Sequence, residues 1–192
     1  MTTLESTDIH QAVRYFEQTR GRVIEATRGI SEAQWRFKPA PDRWSTQQNL
    51  EHMVIVEERV LGPIREQLAQ APGPPADRDY QVVDRIIYEQ FPDRSIKAKA
   101  PEFIEPTGQW SLADSLNRLS RNYERLTALV ESTHDLRDHV LESPPLRFIT
   151  NGVHQTMDGY QWALAAAAHD QRHLNQILEI QADVNYPVRD DS

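Results

Sequence analysis

Apolar residues recur along this 192-residue chain at three- and four-residue spacing in four long stretches, the signature of amphipathic helices rather than strands. In the first, Ile9, Ala12, Val13, Phe16, Val23 and Ile24 share a face, Asp8 offers an N-cap, and Gly29 marks the stop. The turn ISEAQW and the Pro-punctuated link KPAPDRW follow. The second pattern opens with Ser45 and, three residues on, Gln48, the pairing of a capping box; Leu50, Met53, Val60, Ile64 and Leu68 form its stripe. Pro63 lies inside it and is expected to kink or interrupt the helix near Arg59. A third stretch, opening at Ser111 and Asp114, has the most regular seam: Leu112, Leu116, Leu119, Tyr123, Leu126 and Val130. The fourth runs from about Asp158 to Asp183, and its consecutive alanines, Ala165 to Ala168, are small enough to let a neighbouring helix approach closely.

The connections are less regular. Within 72–110, APGPPAD reads as a loop, DYQVVDRIIYEQF as a short helix, and DRSIKAKAPEFIEPTGQ as an extended excursion. A connection of that length in a compact domain either serves function or wraps the surface. A second irregular stretch, His134 to Thr156, carries SPP and NG turn signals and leaves room for only brief strand pairing. The pattern predicts an all-α chain: one domain over residues 1–192, a four-helix bundle with a short extra helix and long Pro-containing loops.

Composition narrows the function classes. Hydrophobic content of 39% and charged content of 26% are those of an ordinary globular protein. No apolar run approaches 18 residues, so no membrane span is expected. The first residues, MTTLESTDIHQAV, lack the basic stretch and apolar core of a signal peptide, which points to the cytoplasm. A net charge of −8, with Lys and Arg scattered among acids, argues against a nucleic-acid partner. Cysteine is absent, which removes disulfides, thiolate ligands and a cysteine nucleophile. Any thiol chemistry would need a thiol supplied as cosubstrate.

The candidate chemistry lies in histidine. His169 and His173, in AAAAHDQRHLNQILEI, are one helical turn apart and so stack on one face. At 100° per residue they share a stripe with Trp162, Ala165, Ala166, Ile177 and Ile180, which turns both rings toward a core. With seven His in the chain, chance places some pair four apart in roughly one sequence in five, so spacing alone is weak. The inward direction is stronger, because a buried imidazole needs a partner for each ring nitrogen. On spacing and direction, metal ligation and hydrogen-bonded core histidine stand level. His52, in WSTQQNLEHMVIVEERVL, is a third inward candidate beside Asn49 and Val56. Three neutral imidazoles suit a divalent ion such as Zn, Ni, Fe or Co and leave positions open for water or substrate. Asn49, Asp170 and Gln176 are near neighbours whose ordinary roles are capping, solvated or supporting ones. Arg172 could meet an anionic cosubstrate but reads first as a surface ion-pair residue. His10, His134, His139 and His154 lack a helical partner and read as surface or loop residues. Trp110 and Trp162 are expected to fill core space, and Trp35 and Trp44 to pin the link between the first two helices. Only His134 has Glu three residues before it (Glu131), whereas a di-iron carboxylate bundle needs such a pair on each of two helices, and the His-Glu-x-x-His of a zincin is missing, as are a Gly-rich phosphate loop and a Ser nucleophile elbow.

WSTQQNLEHMVIVEE resembles the second helix of the DinB-like (DinB/YfiT) superfamily, AAAAHDQRHLNQILEI its last helix, and GISEAQWRFKPAPDRWS the turn between its first two helices. The likeness extends in order from the first helix to about Gln181. It implies a four-helix bundle whose divalent metal is held by one His from the second helix and two from the last, here His52, His169 and His173. It further implies a homodimer and a small-molecule substrate. Activities known among similar proteins include thiol S-transfer with low-molecular-weight thiols such as bacillithiol or mycothiol, so a metal-dependent transferase or hydrolase is expected. The alternative is a non-catalytic, stress-associated bundle that binds metal or ligand. The 72–110 stretch is longer than in the shortest members and is expected to shape the mouth of the site.

Overall fold

The computed structural model describes residues 9–70, 79–97 and 99–188. The Asp8 cap and the APGPPAD loop fall outside these residues. Helix α1 spans Ile9–Ala26 and gives way to a turn in which Gly29 adopts φ 62°, a left-handed conformation that glycine takes without strain. The ISEAQW turn is itself a short helix, α2 (Glu32–Arg36): the Ser31 hydroxyl accepts from the Gln34 amide at 3.2 Å, and the Gln34 side chain accepts from the Ser31 amide at 3.0 Å. The same reciprocal cap, Ser45 with Gln48, starts α3 (Thr46–Leu68). Contrary to expectation, Pro63 does not interrupt α3. Both Pro63 and Arg59, whose carbonyl the missing proline N–H would have engaged, are exposed.

Helix α4 spans Tyr80–Gln90 and α5 spans Leu112–Ser132, the latter capped by Ser111. The 134–156 stretch folds into α6 (Pro144–Ile149) and a minimal antiparallel pair, β1 (Val140–Glu142) with β2 (Thr156–Asp158), in register Leu141 to Met157. Asp158, with Gln161, then caps α7 (Gly159–Gln181). Helix α7 packs on α1, α3 and α4, while α5 closes the bundle against α3 and α1, so α1, α7, α3 and α5 follow one another around it. No helix among the described residues is long and apolar enough to cross a membrane.

Two apolar clusters form the core. One gathers Phe16, Ile87, Leu126, Leu146, Met157 and Leu164; the other gathers Val23, Trp35, Leu50, Met53, Leu119, Leu174 and Ile177. Each fully buried side chain of this kind contributes about 1.5–3 kcal/mol. A polar layer separates them, with one residue from each long helix: Arg20 between Phe16 and Val23, Glu57 between Val54 and Leu61, Asn122 between Leu119 and Leu126, Asp170 between Ala167 and Leu174. Arg20 meets the Glu57 carboxyl at 2.5 Å and Asp170 at 3.1 Å, and the Asn122 amide donates to Glu57 at 3.1 Å.

Helix α7 is rotated relative to its expected face. Ala163, Ala167, Asp170, Leu174 and Ile177 are fully buried, whereas Trp162, Ala166 and His169 form a half-buried edge. Ala163 and Ala167 share this buried face with Asp170, where α7 meets α1 and α3.

Candidate metal centre

His52 lies in the second turn of α3, and His169 and His173 are one turn apart on α7 where it faces α3. One ring nitrogen from each falls within 4.8 Å of the other two. His52 Nε2 and His169 Nε2 are 3.2 Å apart, close to the ~3.4 Å kept by two nitrogens bound at 2.1 Å around a tetrahedral ion.

Hydrogen bonding decides where the rings carry their protons. His52 Nδ1 is 2.9 Å from the Ile104 carbonyl, which can only accept, so the proton is on Nδ1 and the Nε2 lone pair faces the cluster. Asn49 donates its amide to the Ser45 carbonyl at 2.8 Å, which turns its Oδ1 toward His173 Nδ1 at 2.9 Å. His173 is therefore also an Nδ1–H tautomer with a free Nε2. Among the described residues His169 Nδ1 has no hydrogen-bond partner, and its near neighbour is a carboxylate oxygen of Asp170 at 3.9 Å. Ligating imidazoles commonly carry such outer contacts to carbonyl, amide or carboxylate, which fix ring orientation and basicity.

The electrostatics suit a cation acceptor made of neutral rings. Burial, then the neighbouring His169, pulls His52 down to about 3, and burial pulls His169 down to about 4. His173 is pushed well below the usual histidine value, first by burial, then by His169, His52, Arg172 and Arg94. All three rings are neutral near pH 7, with lone pairs available. His52 and His173 are buried, and His169, 22% exposed at its side chain, is the ring that reaches solvent. The donor set thus fits a divalent ion of the zinc, nickel or iron kind.

The surroundings differ from the sequence expectation in several places. Trp44 is half-buried and covers two of the rings, its own centroid 4.7 Å from that of His52 and 6.0 Å from that of His173, rather than only pinning the α2–α3 link. Trp35 is core. Trp110 and Trp162 are only half-buried, and the Arg118 guanidinium lies 3.8 Å above the Trp110 ring. Arg172 is not a surface ion-pair residue: it donates to the carbonyls of Asp93 and Ile96 and pins the loop after α4 beside the centre. Arg94 and Arg43 share the Glu179 carboxylate nearby.

Among the remaining histidines, His10 and His134 are exposed and His154 is a half-buried loop residue. His139 does not lie at the surface as expected. It is buried, with Nε2 3.2 Å from Asp135, because β1 carries it against the start of α7, where its carbonyl receives the Gly159 amide. Asp170 is likewise wholly buried, and Gln176 is buried too. Arg20, Glu57 and Asn122 gave no sequence signal when taken singly, although each interrupts an apolar stripe whose neighbours three and four residues away are buried or, for Leu61, partly buried. Ile104 acts through its backbone and left no sequence signal.

A profile of the DinB superfamily matches residues 15–177. The uncharacterized protein YuaE of Bacillus subtilis (strain 168) is 25% identical over 170 residues, covering 88% of this chain and 96% of the relative. YfiT from Bacillus subtilis, described as a probable metal-dependent hydrolase with an unusual four-helix bundle topology, superposes with a TM-score of 0.61 at 14% identity, covering 97% of this chain and 95% of its own. With most of its length matched, the chain belongs to the DinB superfamily.

Proposed function

We propose that the protein is a divalent-metal-dependent enzyme, a hydrolase or thiol transferase, whose ion is held by His52, His169 and His173. The observation that carries this reading is the convergence of three neutral imidazoles with one of them open to solvent. An ion bound there supplies Lewis-acid activation of a water molecule or a thiol at neutral pH. The chain's own groups do the rest. The Ile104 carbonyl and Asn49 keep the protons of His52 and His173 on Nδ1, so that Nε2 stays free. Trp44 lies against the buried rings of His52 and His173, while the His169 side chain keeps part of its surface exposed. Because the chain has no cysteine, a thiol nucleophile would be a small molecule from solution.

Metal analysis of the purified protein tests this directly. Wild type is expected to hold roughly one ion per chain, and His52→Ala, His169→Ala and His173→Ala to lose it. Turnover of activated esters, or of alkyl halides with added thiols, should depend on that ion. Unchanged metal content in all three variants overturns the reading. The burial of His52 and His173 favours a second reading, a non-catalytic metal-binding bundle. Stoichiometric metal without turnover of either substrate class supports it.

A further inference from the structure

The chain after α4 returns along the outside of α3 as a strap, gripped at four points in antiparallel order. Arg59 lies over the Phe103 ring at 5.3 Å, His52 Nδ1 meets the Ile104 carbonyl, Glu51 takes Thr107 and Gly108, and the Gln47 side chain donates to the Trp110 carbonyl at 2.7 Å. Glu51 is the unexpected member. It is fully buried, and a carboxylate leaves water without severe cost only where hydrogen bonds replace hydration. Here the Thr107 hydroxyl donates to Oε1 and the Gly108 amide to Oε2, both at 2.5 Å. The turn that aims this amide inward needs φ 70° at Gly108, a conformation strained for any side-chain-bearing residue.

Glu51 precedes His52 in the helix, and Thr107 is three residues beyond Ile104, with the stiff Pro106 between. Fixing the strap at 107–108 therefore fixes the carbonyl that holds the His52 proton. We propose that Glu51 is a positioning residue for the metal centre: by clamping the strap it sets the Ile104 carbonyl against His52 Nδ1 and so presents Nε2 to the ion. This rests on the three histidines being ligands. Unlike the Asn49 contact to His173, it reaches its histidine through the backbone of a separate segment, so the 99–110 stretch becomes part of the site.

The test is zinc affinity of the full chain, by competition with a chromophoric chelator, for wild type, E51A, E51Q and T107V. E51A is expected to bind zinc about 10–100-fold more weakly, with T107V moving the same way by less. E51Q should stay within about threefold of wild type, because its amide oxygen still accepts from Gly108 while its NH2 donates to the Thr107 hydroxyl. Equal affinity in wild type and E51A overturns the proposal. So does an E51Q loss as large as that of E51A, which would assign the effect to charge rather than to the strap. Two-bond 1H–15N spectra of the metal-free proteins supply an independent arm. His52 should be protonated at Nδ1 in wild type and E51Q and a tautomer mixture in E51A; an unchanged tautomer in E51A also overturns the proposal. A wild-type chain that takes up no zinc refutes the metal centre instead, while the spectra still decide the strap's role.

Discussion

Replacing Arg20 with Met removes the cation from a buried layer that retains two carboxyls. Met keeps most of the aliphatic stem that packs near Phe16, whose ring lies 5.1 Å from the guanidinium carbon, so the loss is chiefly electrostatic. Arg20 contacts Glu57 at 2.5 Å and Asp170 at 3.1 Å, with all three side chains shielded from solvent. Removing one partner of such a pair costs about 3–5 kcal/mol, because the other charge is stranded. A domain has about 5–15 kcal/mol of stability in total, so a large share is at stake. At about 2–4 °C per kcal/mol, Tm should fall by roughly 6–20 °C. The pH dependence identifies the cause. In wild type, two carboxyls face one guanidinium, and burial followed by the charge of Asp170 holds Glu57 well above the usual carboxylate range. Without Arg20 the second carboxyl must also take a proton on folding. A group whose folded pKa is raised loses stability as pH rises. The deficit of R20M should thus be smallest near about pH 5 and widen by about 1.4 kcal/mol per pH unit for each extra proton bound. Urea unfolding followed by circular dichroism across that range, with chelator present, measures it. A deficit under about 1 kcal/mol, or one that is the same at every pH, refutes the reasoning.

Zinc affinity should respond to pH in an unusual window. With His52 near 3 and His169 near 4, protons compete for the lone pairs well below the ordinary histidine value, so affinity by equilibrium dialysis should be flat from about pH 8 to 5.5 and fall beneath that. A decline that sets in at about 6.5 would show the rings to be ordinary solvated imidazoles. The same depressed values act on the metal-free fold with a fixed sign: unfolded imidazoles gain protons that folded ones refuse, so their contribution is complete above about 6.5 and is lost as pH drops toward 3–4. Trp44, 4.7 Å from the His52 ring, should report paramagnetic Ni(II) by fluorescence quenching. Trp44→Phe is expected to remove most of that signal, and undiminished quenching would place the ion elsewhere.

The long helices were legible because their burial is periodic, and their starts because Ser45, Ser111 and Asp158 make cap hydrogen bonds set by local sequence. The gathering of His52, His169 and His173 followed from two inward helix faces together with the family likeness. The polar layer was hidden for a specific reason. Arg20 and Glu57 look like residues of a solvated face when taken singly, and only the alignment of all four helices shows that each faces the others. Reading Arg20 as the missing member between Phe16 and Val23 would have exposed it. The core face of α7 was misplaced because four successive alanines carry no directional signal. Neither could the hold of Ile104 on His52 be foreseen, since a carbonyl is common to every residue and only the path of the chain brings this one to the ring.

The four-helix tie of Arg20, Glu57, Asn122 and Asp170 also acts as an index mark. Leucine and alanine rows are interchangeable, and a helix displaced by one turn of about 5.4 Å would still find grease to sit in. A slip of α7 by four residues, however, would bring Ala166 or Leu174 opposite Arg20 and strand Asp170 without its cation. It would also move His173 to the level of His169, or the reverse, and leave Ala165 or Ile177 in the vacated place. The alignment that satisfies the acid is therefore the one that brings both imidazoles level with residue 52, so the tally of buried charge keeps the histidines in step.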